Sequence, residues 1–132
     1  DNVRLLPFQP AERLGHTLSA GDVQFISLRA GFEGIVVPSK AYGAMAAGRP
    51  LLYLGQAKGE IAREIVEGDL GTVVAPGDVA GLTAALERYL ADPDLVARQG
   101  ANARRASEGP LGVDHALTAW RKVLLAVATP EN

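Results

Sequence analysis

The stretch DVQFISLRAGFEGIVVPSKAYGAMAAGRPLLYLG, residues 22–55, decides the fold. Asp22 to Leu28 is rich in β-branched and aromatic residues and predicts a strand. A loop follows, Arg29 to Val37, and then a helix that opens at Pro38, a residue favoured in the first helical turn, and closes at Gly48. Pro50 to Leu54 is a short continuous apolar run and predicts a buried strand. Strand, loop, helix and strand in this order make a βαβ unit, which requires a parallel sheet with helices on its faces.

Working outward, the same alternation continues on both sides. Upstream, Val3–Leu6 is a strand candidate ended by Pro7, and Pro10 to Ala20 carries Leu14 and Leu18 at i, i+4 spacing before the terminator Gly21, so it predicts a helix. Downstream, Lys58 to Glu67 predicts a helix and Thr72 to Ala75 a strand. From Val79 the pattern is helical only. Val79, Leu82, Leu86 and Leu90 form one apolar stripe, Leu117, Trp120, Leu124 and Val127 another, and Asp94 to Ser107 is a more polar helix between them. Asp92-Pro93 marks the break between the first two. This divides the chain into βα units over residues 1–78 and a helical cap over 79–128, with Trp120 expected in the core and the tail Thr129 to Asn132 expected to fray.

With 132 residues, 48% of them apolar, the chain can bury one core and is too short for two ordinary domains. The net charge of -2 offers no basic excess for a nucleic-acid backbone, and nucleic acid is not an expected partner. Cysteine is absent and the two histidines, His16 and His115, are far apart, so neither a thiolate nor a metal site is expected. No apolar run reaches the length of a membrane span. The expected setting is cytoplasmic, with the inner face of the membrane as an alternative. The opening at Asp1, directly before an apolar run, suggests a fragment of a longer chain.

In open α/β sheets, ligands bind beyond the carboxyl ends of strands. The loop after the residue 22–28 strand holds Arg29, Gly31, Glu33 and Gly34 and then delivers Ser39 and Lys40 to a helix start. Free backbone N–H groups and the positive helix end favour an anion there, and Lys40 adds a full charge, so a diphosphate suits the site. Glu33 repels phosphate; its use is to accept hydrogen bonds from sugar hydroxyls beside a diphosphate. A nucleotide sugar is therefore the expected ligand.

The segments GFEGIVVPSKAYGAMAAGRPLLYLG (31–55) and GEIAREIVEGDLGTVVAPGDVAGLTAAL (59–86) resemble the C-terminal domain of family 4 glycosyltransferases, the subgroup that builds bacterial capsule, O-antigen and exopolysaccharide chains. The resemblance runs from Asn2 to about Val127 and is most specific over Glu33 to Pro50 and Gly68 to Asp78. It implies a Rossmann-like parallel sheet flanked by helices with a C-terminal helical cap, here an incomplete GT-B C-terminal domain. It also implies transfer with retention, without metal or other cofactor, from a nucleotide diphosphate sugar to a glycan or lipid-linked acceptor held by an N-terminal domain that this chain lacks. On this resemblance Glu33 contacts the donor sugar, Gly34, Ser39 and Lys40 hold the diphosphate, and Phe8, in the Pro7-Phe8-Gln9 loop, meets the nucleobase. Arg29, from its charge and its place in the same loop, reads as an added phosphate cation, with a solvated side chain as the alternative. The family's second Glu, which holds the ribose, falls where this chain has Gly43-Ala44-Met45-Ala46, so Tyr42 or a backbone group at Gly43 substitutes. Alone, the chain is not expected to transfer sugar, and an unpaired sheet edge would offer a surface for self-association.

Other features have plainer readings. Arg49, in the turn Gly48-Arg49-Pro50, is expected to face solvent. Arg98, Arg104 and Arg105 read as a solvated helix face, with peripheral contact to an anionic membrane as the alternative. Glu60 and Glu64, one helical turn apart, read as structural, with paired acids as the alternative. His16 and His115 read as surface or helix-packing residues. Two other functions stay open: a nucleotide-sugar epimerase on the same fold, and a non-catalytic nucleotide-sugar-binding or assembly module.

Overall fold

A computed structural model describes residues 2–128; the expected fraying of the tail lies outside the described residues. A short 3-10 turn, Ala11–Arg13, runs into α1 (Leu14–Ser19), followed by β1 (Gln24–Ser27), α2 (Lys40–Ala46), β2 (Leu51–Leu54), α3 (Glu60–Glu67), β3 (Gly71–Val74), α4 (Val79–Ala91), α5 (Pro93–Glu108) and α6 (Val113–Ala128). The three strands form an open parallel sheet in the order β1-β2-β3. The molecule is thus α/β with a Rossmann-like parallel sheet flanked by helices and a helical C-terminal segment.

Register follows from burial. In the sheet Ile26, Tyr53 and Val73 are aligned, as are Phe25, Leu52 and Thr72. Leu51 and Tyr53 point into a core with Ala41, Ala44, Met45, Ile61, Ala62 and Ile65 of α2 and α3. Leu52 points the other way, into a second core with Ala85, Tyr89 and Leu95 of α4 and α5. Leu51, Leu52 and Tyr53 are almost fully buried, which is why β2 reads as an unbroken apolar run. The ladder continues beyond the strand ends, with Leu28 N donating to Leu54 O at 3.0 Å and Gly55 N to Val74 O at 3.1 Å.

Helix starts are fixed by capping carboxylates. Asp78 Oδ1 accepts from Gly81 N at 2.8 Å and Asp92 Oδ1 from Leu95 N at 2.9 Å, each worth about 1 kcal/mol. Pro93 sits at the first position of α5, so the Asp92-Pro93 break is a cap and a start together. α5 approaches the turn after α2 so closely that a Cβ on Gly100 would overlap the carbonyl of Gly48.

A polar network ties β3 to α4 and α5. The Tyr89 hydroxyl meets Thr72 Oγ1 and donates to Gln99 Oε1, both at 2.9 Å. Gln99 Nε2 donates to Asp69 Oδ1 at 2.7 Å, and Arg98 Nε to Asp69 Oδ2 at 3.2 Å. Asn102 Nδ2 reaches the Asp69 carbonyl at 3.0 Å. Asp69 itself adopts φ of 47°, a conformation that Asp and Asn tolerate better than most side chains.

Several expectations are corrected. Val3–Leu6 forms no strand: apolar content does not make a strand without a ladder partner, and Leu5 is 94% exposed. The helix expected at Pro38 begins at Lys40, because Ala41 N and Tyr42 N first bond to Pro38 O and Ser39 O as tight turns. On α4 the inward face is Leu82, Ala85 and Tyr89, while Val79, Leu86 and Leu90 stay exposed; the tyrosine's hydrogen bonds set the rotation. Arg49 does not simply face solvent, since its Nη2 donates to Ser19 O at 2.7 Å and ties the end of α1 to the strand entry. Arg98, Arg104 and Arg105 are exposed but engaged, the latter two with Glu108 and the Ala46 carbonyl and with Asn102. Trp120 is 65% exposed, because α6 buries none of its side chains against the described residues.

Hydrogen bonding by Gln99 and Arg98, stronger than the opposing effect of burial, lowers the Asp69 pKa below 3.8. A depressed folded pKa means that the stabilisation is complete above the unfolded value and is lost as pH falls through the folded one. The urea midpoint is therefore expected to fall between about pH 5 and pH 2, with a smaller fall in Asp69→Asn, which keeps the backbone conformation; equal slopes would rule this out. The single tryptophan is expected to show red-shifted emission readily quenched by acrylamide. Blue-shifted, protected emission would contradict the exposure of α6.

Candidate functional site

The loop from Arg29 to Val37 leaves the carboxyl end of β1 and is wound by its own backbone. Phe32 N donates to Arg29 O at 3.2 Å, Ile35 N to Phe32 O at 3.1 Å and Val36 N to Phe32 O at 3.0 Å. Gly31 and Gly34 have φ of 88° and 79°, left-handed conformations that other residues rarely adopt, and they turn Glu33 back over the end of the sheet. Glu33 Oε2 accepts from Gly31 N at 2.9 Å. Its other oxygen, Oε1, is buried without a hydrogen-bond partner.

Glu33 is part of the wall of a cavity of about 110 Å³ lined by Leu28, Glu33, Gly34, residues 35–38, Tyr53, Gly59, Glu60 and Ile61. The cavity stands at the carboxyl ends of β1 and β2, where the fold places ligands. Its polar side chains are two carboxylates and a phenol, and no cation lines it. Glu60 occupies the first turn of α3, where the helix dipole favours its charge. The site is suited to donors, such as hydroxyl groups, and not to a phosphate placed inside it. A larger groove of about 630 Å³, lined by Asp22, Val23, Arg49, Leu86, Tyr89 and other residues of α4 and α5, lies at the opposite, amino-terminal strand ends.

Among the residues selected from sequence, Glu33 and Gly34 share the cavity. Ser39 and Lys40 are exposed on the turn that follows its wall residue Pro38. Ser39 is helical in backbone and makes no side-chain cap. Arg29 is exposed at the start of the loop. Tyr42 is half-buried beside a separate cleft with Leu111 and Gly112; burial foremost, then the charges of Glu60 and Glu64, raise its pKa. Gly43 faces α1, where an added Cβ would stand 3.2 Å from Leu18 Cδ1. Phe8 is 95% exposed in the irregular segment before α1. His16 and His115 are on the surface.

Sequence reading passed over Tyr53 and set Glu60 aside as structural. Tyr53 sits among leucines in β2, so its position looks like core. The signal available was the pair Tyr53 and Gly55: a Cβ on Gly55 would overlap the tyrosine ring, so the glycine keeps that ring in place.

Over 65 residues, 49% of this chain, the sequence is 42% identical to "Probable glycosyltransferase WbjE" of Pseudomonas aeruginosa; the matched segment is 16% of that protein's length. No family model matches the chain. No solved structure matches it either.

A buried carboxylate oxygen without a partner costs stability, about 1–3 kcal/mol for the group. Glu33→Gln keeps the acceptor for Gly31 N and removes the charge, so it is expected to raise the unfolding free energy by about 1 kcal/mol in urea titrations. A lower stability than wild type would show that Glu33 is there for structure.

Proposed function

We propose that this chain is the donor-binding part of a retaining, family 4, GT-B type glycosyltransferase. It would move a sugar from a nucleotide diphosphate sugar to a glycan or lipid-linked acceptor. The observation that carries the reading is the Glu33 carboxylate in the lining of a cation-free cavity at the carboxyl ends of the strands. An acceptor-only carboxylate in that setting matches sugar hydroxyls. The similarity to a probable glycosyltransferase supports the same reading.

The two halves of a nucleotide diphosphate sugar then fall on different surfaces. The sugar enters the cavity against Glu33. The diphosphate stays outside, clear of Glu33 and Glu60, beside the exposed Ser39 and Lys40 and the backbone of Gly34. Lys40 neutralises charge that develops on the leaving diphosphate, and Glu33 orients the sugar; both effects lower the barrier only if the groups are held in place beforehand. Arg29 is a second cation for the diphosphate from the same loop. The parent protein would need no metal for this step.

One observation favours a second reading, a non-catalytic nucleotide-sugar-binding or assembly module. The position of the family's second glutamate holds Gly43, which is packed toward Leu18, so no carboxylate is available there for the ribose.

Binding of UDP, GDP, ADP and dTDP and of their sugar conjugates, followed by amide shifts, tests the proposal. The Ser39 and Lys40 amides are expected to move with every diphosphate. Glu33→Ala is expected to weaken the preferred sugar conjugate by roughly tenfold while leaving the bare diphosphate unchanged, and Lys40→Ala to weaken both. Absence of any shift at millimolar ligand would end the donor-site reading. Sugar transfer by the parent chain, abolished by Glu33→Ala, would decide against the non-catalytic module.

A further inference from the structure

The described chain contains two well-buried tyrosines in or beside the sheet, and they differ in one respect. Tyr89, 6% exposed, has its hydroxyl bonded to Thr72 and Gln99 at 2.9 Å. Tyr53, 1% exposed as a whole residue, lines the cavity at the strand ends; its hydroxyl makes no hydrogen bond to the described residues and is not among the buried polar atoms without a partner, so it keeps accessible surface. A phenol that opens on a cavity takes its partner from whatever fills that cavity.

The hydroxyl lies where a ligand could reach it. Tyr53 lines the same cavity as Glu33. The two polar ends flank one point: a Cβ on Gly59 would stand 3.8 Å from Glu33 Cγ and 4.0 Å from the Tyr53 Oη. Burial foremost, and then the Glu33 charge, raise the Tyr53 pKa, so the phenol keeps its proton and can donate it in a hydrogen bond. A carboxylate only accepts. The pair therefore offers one donor and one acceptor to the same small space.

We propose that the Tyr53 hydroxyl and the Glu33 carboxylate together bind one hydroxyl group of the donor sugar, which makes Tyr53 a specificity-determining residue. The proposal rests on the donor-sugar reading of the cavity. A sugar hydroxyl donates its proton to Glu33 and accepts the proton of Tyr53, so both groups are satisfied at once. A deoxygenated carbon at that position satisfies neither and shuts both polar groups away from water without a partner, the situation in which discrimination is strongest. A phosphate is repelled by Glu33 and Glu60. The pair thus selects for a hydroxylated ring position against its deoxy counterpart.

Calorimetric titrations of wild type, Glu33→Ala and Tyr53→Phe with UDP-glucose, UDP-N-acetylglucosamine and GDP-mannose, each beside UDP or GDP, test this. For the best-bound sugar conjugate, Tyr53→Phe is expected to lose roughly tenfold in affinity with the bare diphosphate unchanged. One deoxy analogue of that conjugate, among the singly deoxygenated set, is expected to bind wild type and Tyr53→Phe alike. The melting temperature of Tyr53→Phe is expected to be equal to or above that of wild type, which a purely structural tyrosine would not allow. If Glu33→Ala weakens the conjugate and Tyr53→Phe does not, the role of Tyr53 is overturned and the donor-site reading stands. If wild type binds no sugar conjugate, or Glu33→Ala leaves its affinity unchanged, both fall.

Discussion

Burial of β2 on both faces is the constraint on which the rest of this molecule depends. Leu51 and Tyr53 must be covered by α2 and α3, and Leu52 by α4 and α5, so a strand of four residues forces helices onto both sides of the sheet. Parallel pairing then requires each connection to cross a face, which sends both loops that leave β1 and β2 to the same, carboxyl-terminal end. The cavity with Glu33 is a consequence: it forms where the β1–α2 loop, the end of β2 and the start of α3 meet.

The same constraint separates structural polar groups from unsatisfied ones. Around β3, every polar side chain of the Asp69, Gln99, Tyr89 and Thr72 network has its partner, and the network fixes how α4 and α5 rotate about the sheet. Around the cavity, Glu33 Oε1 is buried without a partner and the Tyr53 hydroxyl makes no hydrogen bond to the described residues. Arg49 Nε, beside the groove at the opposite strand ends, is likewise buried without a partner. The contrast between Tyr53 and Tyr89 makes the argument internal to one molecule.

Much of the fold was legible because the signals were local. The β-branched run over residues 22–28, the Gly48-Arg49-Pro50 turn and the Asp92-Pro93 break each depend on neighbouring residues, and the elements lie within a few residues of where these signals put them. The failures share one cause. Val3–Leu6, the α4 stripe and the stripe on α6 were judged by apolarity, which states that a surface wants cover and not whether cover exists. Trp120 remains exposed because its helix is amphipathic without a packed partner among the described residues. Arg49 was misjudged for the complementary reason, as its partner is the carbonyl of Ser19, distant in sequence.

For the site, Glu33 and Gly34 were picked out by their place in the loop after a strand and by the resemblance of the flanking segment, since a loop carboxylate by itself is as readily a solvated one; the structure puts both in the wall of one cavity. Composition likewise decided that the chain offers no thiol chemistry, while the structure divides its apolar residues into two clusters, one on each face of the sheet. Tertiary structure alone decided which oxygen of Glu33 bonds to Gly31 N and which does not, and that Glu60 and Tyr53, the latter also part of the core, join Glu33 at one cavity. The physical reason is that strand residues alternate between faces and their hydrogen-bond accounts close only in three dimensions. A tyrosine among leucines announces burial from sequence; whether its hydroxyl is spent or still open depends on what lies opposite.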